Sequence, residues 1–231
     1  MLSPNSSAAR GFLFLMERGF EMPVKEFSNP QDIEKRSFEI ITGLLGEKVF
    51  PALQDPIVKR VIHTTADFDY ADTLKFSVNA VESGIAALKS GCHIVTDTKM
   101  AAAGINKKAL SVWGGQVRCF IDDAEIADQA RQAGRTRSSL SMDKAAGDPA
   151  NRIFAIGNAP TALIRLGELI ETGTIRPALV IGVPVGFVNV VESKEMLMGT
   201  DAPHIVAAGR KGGSNVAAAI VNAILYMITE R

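Results

Sequence analysis

From Cys92 to the carboxyl end, short apolar runs rich in β-branched residues alternate with longer stretches whose apolar residues recur every three or four positions. No other feature narrows the fold as much, because strands that alternate with helices bury both faces only as βα units around a parallel sheet. The predicted strands are five: Cys92 to Thr96, Gln116 to Ile121, Arg152 to Ile156, Ala178 to Val183 and His204 to Ala207. The helices between them have readable starts. Asn158 before Pro160 reads as a cap followed by proline in the first turn, and Leu163, Leu166, Leu169 and Ile170 then repeat at helical spacing up to Gly173. Ser214 reads as the cap of the last helix, whose apolar face is Val216, Ile220, Ala223, Ile224 and Met227.

Before Cys92 the spacing is helical. Asn29-Pro30 opens Gln31 to Leu45, Pro56 opens Ile57 to Ile62, and Asp72 is placed to cap a helix from Thr73 to Lys89 with Val78, Val81, Ile85 and Leu88 on one face. No linker composition separates these helices from the strands. The expectation is one α/β domain over residues 22–231, a doubly wound parallel five-stranded sheet with a helical amino-terminal region. Residues 1–21 read as an amino-terminal extension, with Met22 as a candidate start. Their apolar run Gly11 to Met16 is short for a secretory signal. Gly212 to Thr229 carries no charge, yet its glycines, Ser214, Asn215 and Asn222 fit a buried helix better than a membrane span.

Charge and cysteine content remove several functions. Lys and Arg number 25 against 25 Asp and Glu, so the chain lacks the basic excess that phosphate-backbone binding requires, and no nucleic-acid partner is expected. Cys92 and Cys119 sit among apolar neighbours and match neither a disulfide framework nor metal-ligand spacing, which points to two buried thiols in a reducing, cytoplasmic compartment.

In an open parallel sheet, ligands bind beyond the carboxyl ends of the strands. The residues at those ends are Asp97-Thr98-Lys99-Met100, Asp122-Asp123, Gly157-Asn158-Ala159-Pro160, Pro184-Val185-Gly186-Phe187 and Gly209-Arg210-Lys211-Gly212-Gly213-Ser214. The last segment joins a strand to a helix start, where backbone N–H groups and the helix dipole favour an anion. The competing reading is a tight turn with solvated basic side chains. It is neither a Walker loop nor the G-x-G-x-x-G fingerprint, so neither ATP nor NAD is expected. The Gly182 to Val188 segment is apolar and stiff; it is either a buried structural turn or the wall of a crevice for a ligand with a large apolar face.

Of three histidines, His93 and His204 fall within strands and read as satisfied core or edge imidazoles. His63 follows the Ile57 to Ile62 segment and opens the polar run His63-Thr64-Thr65-Ala66-Asp67-Phe68-Asp69. There it either transfers a proton or merely caps helix carbonyls. A metal site built from His63, Asp67, Asp69 and Asp72 lacks a second histidine at metal spacing, and no G-x-S-x-G is present for a serine hydrolase.

Taken together, Asp32 to Ile41, Arg60-Val61-Ile62-His63, Thr136-Arg137-Ser138, Gly157 to Ala162, Pro184 to Val188, Glu192-Ser193-Lys194 and Gly209 to Ser214 resemble the precorrin-8X methylmutase (precorrin isomerase) family and its cobalt-precorrin-8 counterpart, from about Phe27 onward. The resemblance implies a three-layer flavodoxin-like fold and a homodimer whose substrate lies in a cleft near the interface. It implies an intramolecular methyl transfer in cobalamin biosynthesis, from C-11 to C-12 of a corrinoid, giving hydrogenobyrinate or cobyrinate. It places the catalytic histidine at His63 and substrate contacts at Ser37 and Arg60, with Thr136-Arg137-Ser138 as a further pocket segment. Arg135 departs from the family pattern, where a smaller polar residue stands, and nothing carries over to residues 1–21.

Such a substrate is a ring edged with carboxylates. The residues expected to bind it are therefore Ser37, Arg60, Lys99, Arg137, Ser138, Gly186, Arg210, Lys211, Gly212, Gly213 and Ser214, with His63 as proton or hydrogen-bond donor to a ring nitrogen. A sigmatropic shift needs no electron carrier, so no cofactor or protein-bound metal is expected. Cobalt, if present, travels in the substrate. Product retention would suit transient contact with the next enzyme of the pathway. The alternatives are a corrinoid carrier without turnover and a phosphosugar enzyme using the Gly209 to Ser214 turn.

Overall fold

The computed structural model describes residues 29–229, so the predicted extension at residues 1–21, and Met22, lie outside the described residues. The chain divides into two compact units between Ser37 and Phe38. The first unit contributes, among the described residues, the opening of helix α1 (Pro30–Leu45). Asn29 starts it as expected: its side-chain oxygen accepts from the Gln31 N–H at 3.0 Å.

The second unit is built on a mixed sheet of six strands. In chain order these are β1 (Leu74–Phe76), β2 (His93–Thr96), β3 (Val117–Arg118), β4 (Asn151–Ile156), β5 (Leu179–Gly182) and β6 (His204–Ala207). Their spatial order is β1-β6-β5-β4-β2-β3, with β1 antiparallel to β6 and every other pair parallel. In register, Ile94 faces Ile153, Ile153 faces Leu179 and Ile181 faces Ile205.

Alternation along these strands makes three layers. Ile94, Ile153, Leu179, Ile181 and Ile205 share one core with helices α2 (Asp55–Thr65), α4 (Ala80–Lys89) and α11 (Ser214–Ile228). Val95, Phe154, Ile156, Val180 and Val206 point the other way, into a second core with α8 (Arg137–Ala146), α9 (Pro160–Glu171) and α10 (Val190–Met198). Ala217, Ala218 and Ala219 of α11 are all buried, so this helix lies close on the sheet.

The fold corrects the expectation of five strands and of one helix from Thr73 to Lys89. That stretch is the end of a short helix α3 (Tyr70–Thr73), then strand β1, then α4. Asn79, at φ +56°, breaks the chain before α4, and Val78, counted toward an apolar face, is 86% exposed. Pairing with β6 decides the outcome: Leu74, Lys75 and Phe76 face Ala207, Val206 and Ile205. Asp72 caps no helix at Thr73; its carboxylate accepts from Lys48 at 2.5 Å. The Gln116 to Ile121 run shrinks to two residues because β3 is an edge strand, with a neighbour on one side only. Neither predicted cap of the later helices holds. The cap position of α9 is Ala159, not Asn158, and that of α11 is Gly213, not Ser214. Cys92 is buried, whereas Cys119 is only half-buried.

Candidate functional site

Helix α2 carries the predicted histidine. Pro56 sits in its first turn, and Ile57, Val58, Val61 and Ile62 turn into the core, which leaves His63 on the exposed side of the last turn. The helix runs past Ile62, the predicted end, and stops at Ala66, at φ +53°, whose N–H donates to the Ile62 carbonyl at 2.7 Å. The His63 ring lies over Phe38, with centroids 5.4 Å apart and planes 24° from parallel. Arg60, one turn earlier, places its guanidinium 4.7 Å from the centre of the same Phe38 ring and 5.3 Å from that of Tyr226 on α11. Aromatic faces thus hold both side chains in place.

The polar run after His63 folds on itself: Asp67 N–H donates to Thr65 Oγ1 at 3.2 Å and Asp69 N–H to Asp67 Oδ1 at 3.0 Å. Both aspartates converge on a cation. Lys211 Nζ donates to Asp67 Oδ2 and to Asp69 Oδ2, each at 2.6 Å. Hydrogen bonding to these carboxylates raises the Lys211 ammonium above the ordinary lysine range, and the same ammonium holds the Asp67 carboxyl below its own. This latch joins the segment behind His63 to the Gly209 to Ser214 turn.

The strand ends themselves are knitted together. Asp97, 1% exposed at the end of β2, accepts from the N–H groups of Gly157 (3.0 Å), Asn158 (2.8 Å) and Ala159 (2.7 Å). From another strand end it thus holds the loop that leads into α9. Burial pushes its carboxyl upward, and the three N–H groups pull the other way. Thr98 caps α5 (Lys99–Gly104) by accepting from Ala101 N–H at 3.1 Å, and its hydroxyl lies 2.8 Å from that of Ser214. Ser214, predicted as a cap, is thus a bridge to β2. At Gly157 a β-carbon would stand 2.6 Å from Ser214 Cα and 2.8 Å from the Gly213 carbonyl oxygen, so glycine is needed there for close approach.

The turn after β6 is tied to the turn after β5. Gly213 N–H donates to the Val183 carbonyl at 2.9 Å, and Gly186 N–H donates to the Arg210 carbonyl at 3.2 Å. Gly212 packs so tightly that a β-carbon would reach 2.1 Å from the Val183 oxygen. Lys194, from α10, donates to the carbonyls of Gly209 at 2.7 Å and Lys211 at 2.8 Å. Gly186, Arg210, Lys211, Gly212, Gly213 and Ser214 are therefore one assembly, linked through Lys211 to the segment that follows His63.

The other predicted site residues have partners of their own. Lys99 is ion-paired with Asp122, which raises its ammonium. Arg137 and Ser138 open α8, capped by Thr136, whose hydroxyl donates to Thr161 Oγ1 at 2.8 Å. No hydrogen bond among the described residues joins them to His63 or to the 209–214 turn. Arg135, the departure from the family pattern, is engaged by Asp143 at 2.9 Å and Ser139 Oγ at 2.7 Å. Ser37 belongs to the amino-terminal unit, where its hydroxyl donates to the Ile33 carbonyl at 2.9 Å. His93 accepts the Gln116 N–H at 3.2 Å, and His204 lies buried 2.9 Å from the Ala202 carbonyl; both are satisfied imidazoles, as expected.

Sequence reasoning gave no role to Asp97 or Lys194. The available signals were an acidic residue directly after a buried strand and a lysine on the buried side of a helix. A cavity of about 640 Å³ opens near the amino ends of β5 and β6, beside Glu171, Arg176 and Asp201, and holds no predicted site residue. At the carboxyl end, Met100, Val185, Phe187 and Val188 are exposed apolar side chains, Phe187 at 84%.

Known proteins resemble this chain over most of its length. The family model for precorrin-8X methylmutase matches residues 32–227. Cobalt-precorrin-8 methylmutase of Salmonella typhimurium is 49% identical over 207 residues, which cover 87% of this chain and 97% of that protein. Precorrin-8X methylmutase of Pseudomonas aeruginosa is 38% identical over 196 residues, covering 84% of this chain and 94% of that protein. The solved structure of precorrin-8X methylmutase from Thermus thermophilus superposes with a TM-score of 0.77 at 40% identity, over 84% of this chain and 96% of that one. On sequence, coverage and fold alike, the chain belongs to the precorrin-8X methylmutase family.

Proposed function

We propose that this protein is the isomerase that moves a corrinoid ring methyl from C-11 to C-12 in cobalamin biosynthesis, converting precorrin-8X to hydrogenobyrinate or cobalt-precorrin-8 to cobyrinate. The observation that carries the reading is the join between His63 and the turn at the sheet's carboxyl edge. A ring nitrogen donor, held flat on Phe38, is followed four residues later by a carboxylate bound to Lys211 of that turn.

The shift breaks the bond from the methyl to C-11 as the bond to C-12 forms, and no electrons leave the ring. What the protein supplies is a fixed ring and a donor that makes the migration terminus electron-poor. His63 gives a hydrogen bond or proton to a ring nitrogen near the migrating methyl. Arg60, Arg137 and Arg210 face peripheral carboxylates, with Ser37 and Ser138 as polar contacts. Lys211 exchanges an aspartate partner for a substrate carboxylate, and Lys99 does the same. Gly186, Gly212, Gly213 and Ser214 form the backbone of the anion-binding turn. No cofactor takes part, and cobalt, where present, is a passenger of the substrate.

Phe187, Val188, Val185 and Met100 expose apolar surface at the same end of the sheet. That surface supports a homodimer in which a second copy closes the macrocycle slot. The order β3-β2-β4-β5-β6 supports a flavodoxin-like arrangement of the parallel strands, with β1 added at one edge. The two free thiols are consistent with a cytoplasmic setting.

The test is visible spectroscopy of the protein incubated with precorrin-8X and, separately, with its cobalt form. The chromophore of the corrin product is expected to appear. His63→Ala should bind product but convert substrate about 10²- to 10⁴-fold more slowly, the usual range for a lost general acid. Binding without conversion by the unaltered protein would instead make it a corrinoid carrier.

A further inference from the structure

Lys194 is a lysine in the wrong place for one. It is 1% exposed on the inner side of α10, and no carboxylate pairs with it among the described residues. Lysines are almost never fully buried unless paired, because an ammonium out of water costs several kcal/mol (~). Burial alone lowers its ammonium from the ordinary lysine value to about 8. An apolar side chain of the same length would fill this space without that cost, so the charge has a use beyond packing.

The use is visible in the turn that Lys194 grips. Its ammonium draws the carbonyls of Gly209 and Lys211 inward, while the Arg210 carbonyl between them is taken by Gly186 N–H. Three successive carbonyl oxygens are thereby taken by partners within the protein. The N–H groups of Arg210, Lys211 and Gly212 donate to no protein acceptor among the described residues. A turn with its carbonyls held back and its amides unspent is a nest for an anion, and here it leads into the amino end of α11.

We propose that Lys194 is a positioning residue for the substrate: it holds the 209–213 turn with its amides facing a corrinoid carboxylate and adds a fixed positive charge behind them. This rests on the proposed methylmutase function, which supplies the carboxylate. Lys194 does not touch the migrating methyl. Its loss acts on binding and leaves the chemical step alone.

The experiment compares the full chain with Lys194→Met, which removes charge and donors, and Lys194→Gln, which keeps an N–H donor without the charge. Corrinoid product affinity is read by spectral titration, KM and kcat by conversion of precursor, and exchange of the 210–213 amides by hydrogen exchange without ligand. The expected result for Lys194→Met is a KM and product Kd raised at least tenfold, kcat within threefold of wild type, and faster amide exchange in the turn. Lys194→Gln should fall between the two. A folded variant of either kind that binds product as tightly as wild type overturns the proposal. So does an unfolded Met variant beside a Gln variant with wild-type affinity, which would make Lys194 a folding residue. Failure of the functional reading looks different: the unaltered protein neither binds nor converts corrinoid, and the Lys194 proposal for a corrinoid carboxylate then falls with it.

Discussion

Asp97 is the residue whose removal tests the architecture of the site most directly. Its carboxylate is fully buried and satisfies three backbone donors in the loop just before α9, two of them on buried residues. Asp97→Ala leaves all three N–H groups without an acceptor, and an unsatisfied buried donor costs about 1–3 kcal/mol. Relief from burying the carboxylate offsets part of the sum, so a net loss of about 4 kcal/mol is expected, the scale set by the three lost hydrogen bonds. For a chain of this size about 2–4 °C of melting temperature follows each kcal/mol, which gives a drop of roughly 10 °C. Asp97→Asn should fall between, since one amide oxygen still accepts while the NH₂ group confronts an N–H. Urea denaturation read by near-ultraviolet circular dichroism, with thermal melting as a second measure, supplies both numbers. A further consequence separates this account from simple cavity formation. The three N–H groups released just before α9 become an anion site, so millimolar sulfate should stabilise Asp97→Ala more than wild type. If Asp97→Ala loses less than about 1 kcal/mol, or sulfate treats both proteins alike, the carboxylate is not the acceptor that holds these turns together.

Gly157→Ala should lower stability by about 1–3 kcal/mol and weaken product binding, because the new methyl meets the Gly213–Ser214 backbone, not a yielding side chain; unchanged melting with unchanged affinity would contradict it. Stability against pH isolates Lys194. Its ammonium is held near 8 in the fold and near 10.5 in the unfolded chain, so the unfolded chain binds more protons between those values and stability rises with pH there. Relative to Lys194→Met, wild type should therefore gain on the order of 3 kcal/mol between pH 8 and pH 10.5. Denaturation curves that stay a constant distance apart over that window would rule out a buried ammonium.

The parallel strands were largely legible because burial on both faces leaves an unmistakable run such as Ile153-Phe154-Ala155-Ile156, whatever the rest of the chain does. The positions of His63 in the last turn of a helix and of the basic glycine turn after a strand were legible too, since each stands close to where an element ends. The caps were not. Asn158 and Ser214 have capping chemistry, yet each stands one residue away from the actual cap position, with Asp97, sixty residues away, holding the N–H groups that precede α9 and a threonine of another strand end taking the Ser214 hydroxyl. Local signals cannot register a competitor that is distant in sequence.

Alternation of apolar periods determined by itself that this chain folds as a layered α/β protein. Only the tertiary structure decided that Leu74 to Phe76 is a strand, that Lys211 is held by Asp67 and Asp69, and that Lys194 and Asp97 are the buried charges behind the turns. The reason is physical. Periodicity records which side of an element avoids water, a property of each segment alone. A hydrogen bond to an edge strand, a carbonyl or an amide belongs to two segments, and only their meeting specifies it.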